Sequence, residues 1–312
     1  MDHFLVAAKA VLPIFLMLLV GVVVRYKKML TEQELVRFNG FVFKVLFPFL
    51  MFDNIYASDL SENLDGRLIA FAVCGVLVEY ALAVLVSCRI EKSRRSRGAM
   101  IQALYRSNYV LLGLPLVGSI CGEGAMGSAA IISAIVIPIY NVIAVITLEV
   151  FRGGKVQVGR ILLQVIENPL ILGALAGILS LLLKIQYPEL VLDVAGDLAD
   201  AATPVALIIL GATFNFDALK QCGRNTTICT VGRLVVMPAL AMTAAALLGF
   251  RGDDFVILLI VFAAPTAVSS FTMAQQMDSD ADLAASSVVL TSALSVVTIF
   301  LWILLFMHLG MF

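Results

Sequence analysis

Two interrupted hydrophobic stretches hold the side chains with which this chain could do chemistry. The first runs from Ser107 to Ser119 and carries Asn108 and Tyr109, then Gly113 and Pro115. The second runs from Phe262 to Ser270 and carries Pro265, Thr266, Ser269 and Ser270. Proline removes a backbone donor and clashes with the carbonyl four residues back, while glycine loosens the same turn. In hydrocarbon a freed backbone group is costly, so such breaks are tolerated only against protein or a wet cavity. The chemistry on offer is anion binding. Unwound N–H groups and a half-helix N-terminus, carrying about +0.5 of an elementary charge, can receive a carboxylate without a lysine. Asn108, Ser269 and Ser270 would add side-chain hydrogen bonds; the other use of Asn108 is as a tie to a neighbouring helix. Broken helices at corresponding places in two halves of a chain point to the binding site of a secondary transporter.

Other polar side chains sit inside apolar segments. Glu79, in Leu77-Val-Glu-Tyr80, lies mid-segment, where an acid must face the bundle or be protonated. It reads either as a coupling carboxylate for H⁺ or Na⁺, or as the structural partner of Lys44 or Arg106. Arg106 and Arg233 fall near segment ends, where arginine can snorkel to the interface, and that is the reading taken for Arg233. Asn141 and Tyr140 follow Pro138 and are candidates to line a cavity. Asp53 and Asn54 read as interfacial. The run Gly122 to Gly127 fits G-x-G-x-x-G but follows an apolar helix and no strand, which removes the dinucleotide reading. The histidines, His3 and His308, stand at the chain ends, and the five cysteines have no metal-ligand spacing. Neither an enzyme nor a bound cofactor is expected.

The elements that must position these residues are membrane helices. Of 312 residues, 61% are hydrophobic and 14% charged, with a mean hydropathy of +1.03; an ordinary soluble chain has about 25% charged residues. A net charge of −1 offers no surface for nucleic acid. At roughly 20 apolar residues per crossing, ten segments can be drawn: 4–24, 35–56, 67–88, 99–121, 126–150, 160–183, 194–218, 226–249, 254–275 and 283–307. The first is too long for a signal-peptide core and reads as a retained helix. Basic residues crowd alternate loops (Arg25, Lys27, Lys28; Arg89 to Arg97; Arg152, Lys155, Arg160; Lys220, Arg224), while the others hold Arg67, Lys184 and Arg251. The positive-inside rule then puts both termini outside. Residues 151–159 read as a cytoplasmic linker between a first five-helix repeat, 1–150, and a second, 160–312, inserted upside down. Pro13 and Pro169 stand 156 residues apart, as do Pro48 and Pro204, and Pro115 and Pro265 stand 150 apart, as an internal repeat requires.

Six motifs in chain order resemble the auxin efflux carrier family, also called the membrane transport protein family. They are Leu46-Phe-Pro-Phe-Leu-Met-Phe, Gly113-Leu-Pro-Leu, Asn168-Pro-Leu-Ile-Leu-Gly, Thr203-Pro-Val-Ala-Leu-Ile-Ile-Leu-Gly, Arg233-Leu-Val-Val-Met-Pro and the run from Ala264 to Gln276. Without a long central loop the chain is similar to the compact bacterial members. The resemblance implies an all-α membrane protein of ten transmembrane helices as two inverted five-helix repeats. A scaffold of helices 1, 2, 6 and 7 would pack against a transport domain of helices 3–5 and 8–10, with broken, crossed helices 4 and 9. It implies elevator-type transport of a small organic anion across the plasma membrane: auxin in plants, malate or malonate in bacteria. It places Asn108, Gly113, Pro115 and Pro265 beside the substrate, and plant-type members set an acid in helix 3, as Glu79 is here. The segment before Pro265 has no amide, leaving that half of the pocket to backbone, Thr266, Ser269 and Ser270. Lipid, H⁺ or Na⁺, and a second copy in a homodimer are the partners implied. The rival readings are a Na⁺-coupled carrier of the bile-acid-symporter type and a membrane sensor that binds without transporting.

Overall fold

The computed structural model describes residues 2–56, 65–109, 114–122, 125–152, 167–214 and 223–312. Gly113, residues 153–159 of the expected linker, and Glu123 and Gly124 of the G-x-G-x-x-G run lie outside them. The described chain is helical: α1 (Asp2–Tyr26), α2 (Glu32–Tyr56), α3 (Gly66–Ile90), α4 (Arg94–Tyr105), α5 (Leu114–Cys121), α6 (Met126–Phe151), α7 (Pro169–Leu182), α8 (Glu189–Thr213), α9 (Arg224–Leu247), α10 (Gly252–Ala263), α11 (Ser269–Gln276) and α12 (Ala281–His308). Six of these, α2, α3, α6, α8, α9 and α12, are long and apolar enough to cross a membrane. This is a multi-pass membrane protein.

Local chemistry sets where the helices begin. Thr31 and Glu34 form a reciprocal capping box at the start of α2, with the Thr31 N–H donating to Glu34 at 2.7 Å. Asp65 accepts from the Arg67 N–H at 2.8 Å to open α3, and Asp280 accepts from Leu283 at 3.0 Å to open α12. Asn168 caps α7, with Pro169 placed where a missing N–H costs nothing.

Two long helices contain a single π-turn, Val42–Leu46 in α2 and Gly232–Val236 in α9. Each ends two residues before a proline, Pro48 and Pro238. The proline ring displaces the carbonyl four residues back, and the wider turn absorbs that clash. In α9 the freed carbonyl is that of Leu234, and the Trp302 indole N–H donates to it at 3.0 Å. The π-turn also rotates the helix before it, which decides where Arg233 points.

Packing forms two cores. One joins α3, α4, α9, α10 and α12; the other joins α1, α2, α7 and α8, with parts of α6 and α11 against it. In the second core, α1 lies on α8 and α2 on α7 at backbone contact distance. A Cβ at Gly211 would stand 2.1 Å from the Leu18 carbonyl oxygen, and one at Gly173 would stand 2.3 Å from that of Pro48. Gly211→Ala must therefore spread α1 from α8. Overpacking of this kind costs about 1–3 kcal/mol, and thermal unfolding in detergent should show a lowered Tm of that size.

Candidate binding site at the helix crossing

Helices α4 and α10 both stop in mid-structure, and their ends meet. After Tyr105 and after Ala263 the backbone turns extended, and the two short segments pair antiparallel through Ser107 and Thr266. The Asn108 N–H donates to the Pro265 carbonyl at 2.8 Å and the Ala267 N–H to that of Arg106 at 3.1 Å. Thr266 locks the crossing: its hydroxyl donates to the Ala103 carbonyl at 2.8 Å, and its N–H donates to the Thr291 hydroxyl at 3.1 Å. The chain then resumes as α5 and α11.

Beside the crossing lies a cavity of about 90 Å³. Its polar wall is formed by Arg106, Ser107, Asn108, Asn141, Ser269, Tyr140, Asn54 and Thr203, and its apolar wall by Phe47, Leu50, Met51, Ile137 and Val268. Arg106 is 3% exposed. Its guanidinium donates to Gln102 Oε1 at 3.0 Å, to the Met273 sulfur at 2.7 Å, and to Asn141 Oδ1. All three acceptors are uncharged, and among the described residues no ion pair is formed by Arg106. The Asn141 amide donates in turn to the Ile137 carbonyl at 3.0 Å and to the Met51 sulfur. Asn108 is 8% exposed, and its Nδ2 donor has no partner among the described residues. A buried cation without a counter-charge and an idle amide donor thus line one small cavity, which is suited to an anion.

Of the residues expected at the site, Asn108, Asn141 and Ser269 line this cavity, and they are joined by Arg106, which the sequence offered as a partner for Glu79. Pro265 and Thr266 build the crossing behind it. Ser270 is buried outside the lining. Pro115 is in the first turn of α5. Asn54, read from the sequence as interfacial, belongs to the wall, and Thr203 and Met51 were not anticipated.

The charges pair differently from the sequence expectation. Lys44 is exposed in the π-turn of α2, and Arg106 faces the cavity; the cation on Glu79 is Arg233, with Nη1 to Oε2 at 3.2 Å. Nor does Arg233 snorkel: it is 0% exposed. Its Nε donates to the Ala264 carbonyl at 2.8 Å, Nη1 to that of Tyr105 at 3.0 Å, and Nη2 to that of Val261 at 3.2 Å. Glu79 is 3% exposed.

The chain is similar to known membrane transport proteins. The sequence profile of the membrane transport protein family matches residues 6–303. An uncharacterized transporter of Methanothermobacter thermautotrophicus is 25% identical over 96% of this chain and 98% of its own length. One from Methanocaldococcus jannaschii is 27% identical over 94% of this chain and 96% of its own. A candidate malonate transporter of Rhizobium meliloti is 24% identical over 84% and 83% of the respective chains. These relatives are transporters, not enzymes.

Proposed function

The chain belongs to the membrane transport protein, or auxin efflux carrier, family, and on that premise we propose that it carries a small organic anion through the cavity at the helix crossing. The observation that carries this reading is Arg106: a buried guanidinium with no acid beside it among the described residues, facing a space that also holds the Asn108 amide. Keeping such a charge unpaired is expensive unless a ligand completes it. The polar wall of this cavity and the candidate malonate transporter among the relatives favour a small aliphatic carboxylate such as malate or malonate.

Ten crossings in two inverted five-helix repeats, 1–150 and 160–312, are part of the same proposal. Within the described residues each expected segment overlaps a helix or a broken pair, α4 with α5 and α10 with α11, while 160–166 and 215–218 lie outside the described residues. Further support is a close approach that repeats with the offset of the prolines. A Cβ on Gly21 would meet the Ile208 carbonyl, and one on Gly177 would meet that of Phe52. Adding 156 to Gly21 and Phe52 gives Gly177 and Ile208, so the first repeat packs on the second as the second packs on the first. The two cores support a division into a scaffold (α1, α2, α7, α8) and a moving body that holds the crossing. In this reading the body shifts along the scaffold to expose the site on either side, as in other carriers with broken helices.

Counterflow of labelled malate and malonate in proteoliposomes tests the reading. Saturable exchange is expected from the wild type. Asn108→Ala should weaken it by about tenfold or more, since a hydrogen bond to a charged group contributes about 1.5–3 kcal/mol. No counterflow with any small carboxylate would remove the carrier reading; full activity in Asn108→Ala would move the site.

A further inference from the structure

The cavity does not use the most heavily hydrogen-bonded side chain among the described residues. Arg233 ends in a closed space where carbonyls at the ends of two broken helices converge: Tyr105 from α4, Val261 from α10, and Ala264 immediately after it. A helix leaves its final carbonyls unbonded and carries about −0.5 of an elementary charge at that end. Two such ends and the Glu79 carboxylate make a site that demands positive charge. In carriers built on broken helices, unwound carbonyls and half-helix C-termini coordinate the Na⁺ or H⁺ that is coupled to transport. Here the demand is met by a guanidinium, which stays charged and presents several donors in a fixed plane. The side chain comes from α9, which is itself unbroken, and the π-turn before Pro238 aims it inward.

We infer that Arg233 is a tethered cation: it holds the two half-helices in register for substrate binding, and so supplies from within the chain the charge that a bound inorganic cation supplies at such a crossing. Arg233 is a positioning residue. It reaches the ligand only through the backbone that carries Arg106 and Asn108. Three features argue for permanent occupation: the group has no solvent exposure, its bonds go to both halves of the crossing, and Glu79 balances its charge. A mobile ion would need an entry path and would leave in each cycle; a tethered one does neither.

The inference rests on the carrier reading and is tested in the same proteoliposomes. Wild-type counterflow should be equal in sodium and in choline media; a wild type that needs Na⁺ overturns the inference. Arg233→Ala should lose about a hundredfold of counterflow or more, as a broken buried pair does, and millimolar guanidinium should restore at least about tenfold of that loss. Arg233→Lys should stay well above Arg233→Ala. Because Arg233→Ala strands Glu79 and could fail to fold, the decisive variant is Arg233→Met with Glu79→Leu. That pair leaves no unpaired charge, and such replacements are often neutral for stability. Normal unfolding with counterflow reduced at least about tenfold supports the tethered cation; counterflow equal to the wild type overturns it. Absence of wild-type counterflow in every medium would instead defeat the carrier reading itself.

Discussion

Arg106→Gln should reduce counterflow by about thirtyfold or more while making the empty protein harder to unfold. The first effect follows from the proposed anion site: without Arg106 the bound carboxylate would lose its partner in a buried, hydrogen-bonded charge pair, which costs about 2–5 kcal/mol; each 1.4 kcal/mol is a factor of about ten. The second follows from the apo site. Arg106 rests against Gln102, Asn141 and Met273, none of which offsets its charge, so the empty folded state bears a desolvation cost that the proposed anion would relieve. Glutamine removes that cost. Local rules are broken in this way at functional sites and offset elsewhere. Arg106→Lys keeps the charge and loses the planar fork that meets Gln102 and Asn141 together, so it should fall between the two. Labelled-anion counterflow and thermal unfolding without ligand check both halves of the prediction. Unchanged transport would take Arg106 out of the site, and a lower Tm would make it a structural tie.

Helix boundaries were legible wherever hydropathy and punctuation agreed. The segments drawn at 67–88, 126–150 and 283–307 appear as Gly66–Ile90, Met126–Phe151 and Ala281–His308. Where they disagreed, an apolar window misled. The second helix begins at Glu32 because Thr31 and Glu34 cap it, although its first turns are polar. Helix α8, drawn from residue 194, begins at Glu189, and its first turns carry Glu189 and Asp193 ahead of the apolar run. The breaks were legible from Pro115 and Pro265, and Asn108 from its place beside the first. Arg233 was not. Its distance along the chain suits a snorkelling arginine and a buried one equally well; rotation of α9 separates the two. That rotation comes from a π-turn, one extra residue in the winding, which a 3.6-residue period cannot register. The mis-paired Glu79 follows from the same error, since its partner lies 154 residues away. Asn54 was passed over because a neighbouring acid, Asp53, was expected to keep anions away. A cavity wall is selected by side-chain direction, and adjacent helical residues do not face each other.

Glu79→Gln should destabilise the protein more than it alters any pH response. The glutamine keeps the shape and removes the charge, leaving Arg233 buried at 0% exposure against neutral partners. Breaking a buried pair from one side costs about 3–5 kcal/mol, a large share of the roughly 5–15 kcal/mol that holds a typical domain folded. Thermal unfolding in detergent should show the loss. Adding Arg233→Met to the Glu79→Gln protein should recover most of it, because the stranded charge is then gone. The same arithmetic bears on coupling. A cycle that protonated Glu79 at every turnover would strand Arg233 each time and meet a barrier of that size. The expectation is therefore that a pH gradient alone drives no accumulation of malate or malonate in wild-type vesicles. Should Glu79→Gln unfold like the wild type yet lose a pH-driven uptake that the wild type shows, Glu79 is a proton carrier and the pair with Arg233 opens during transport.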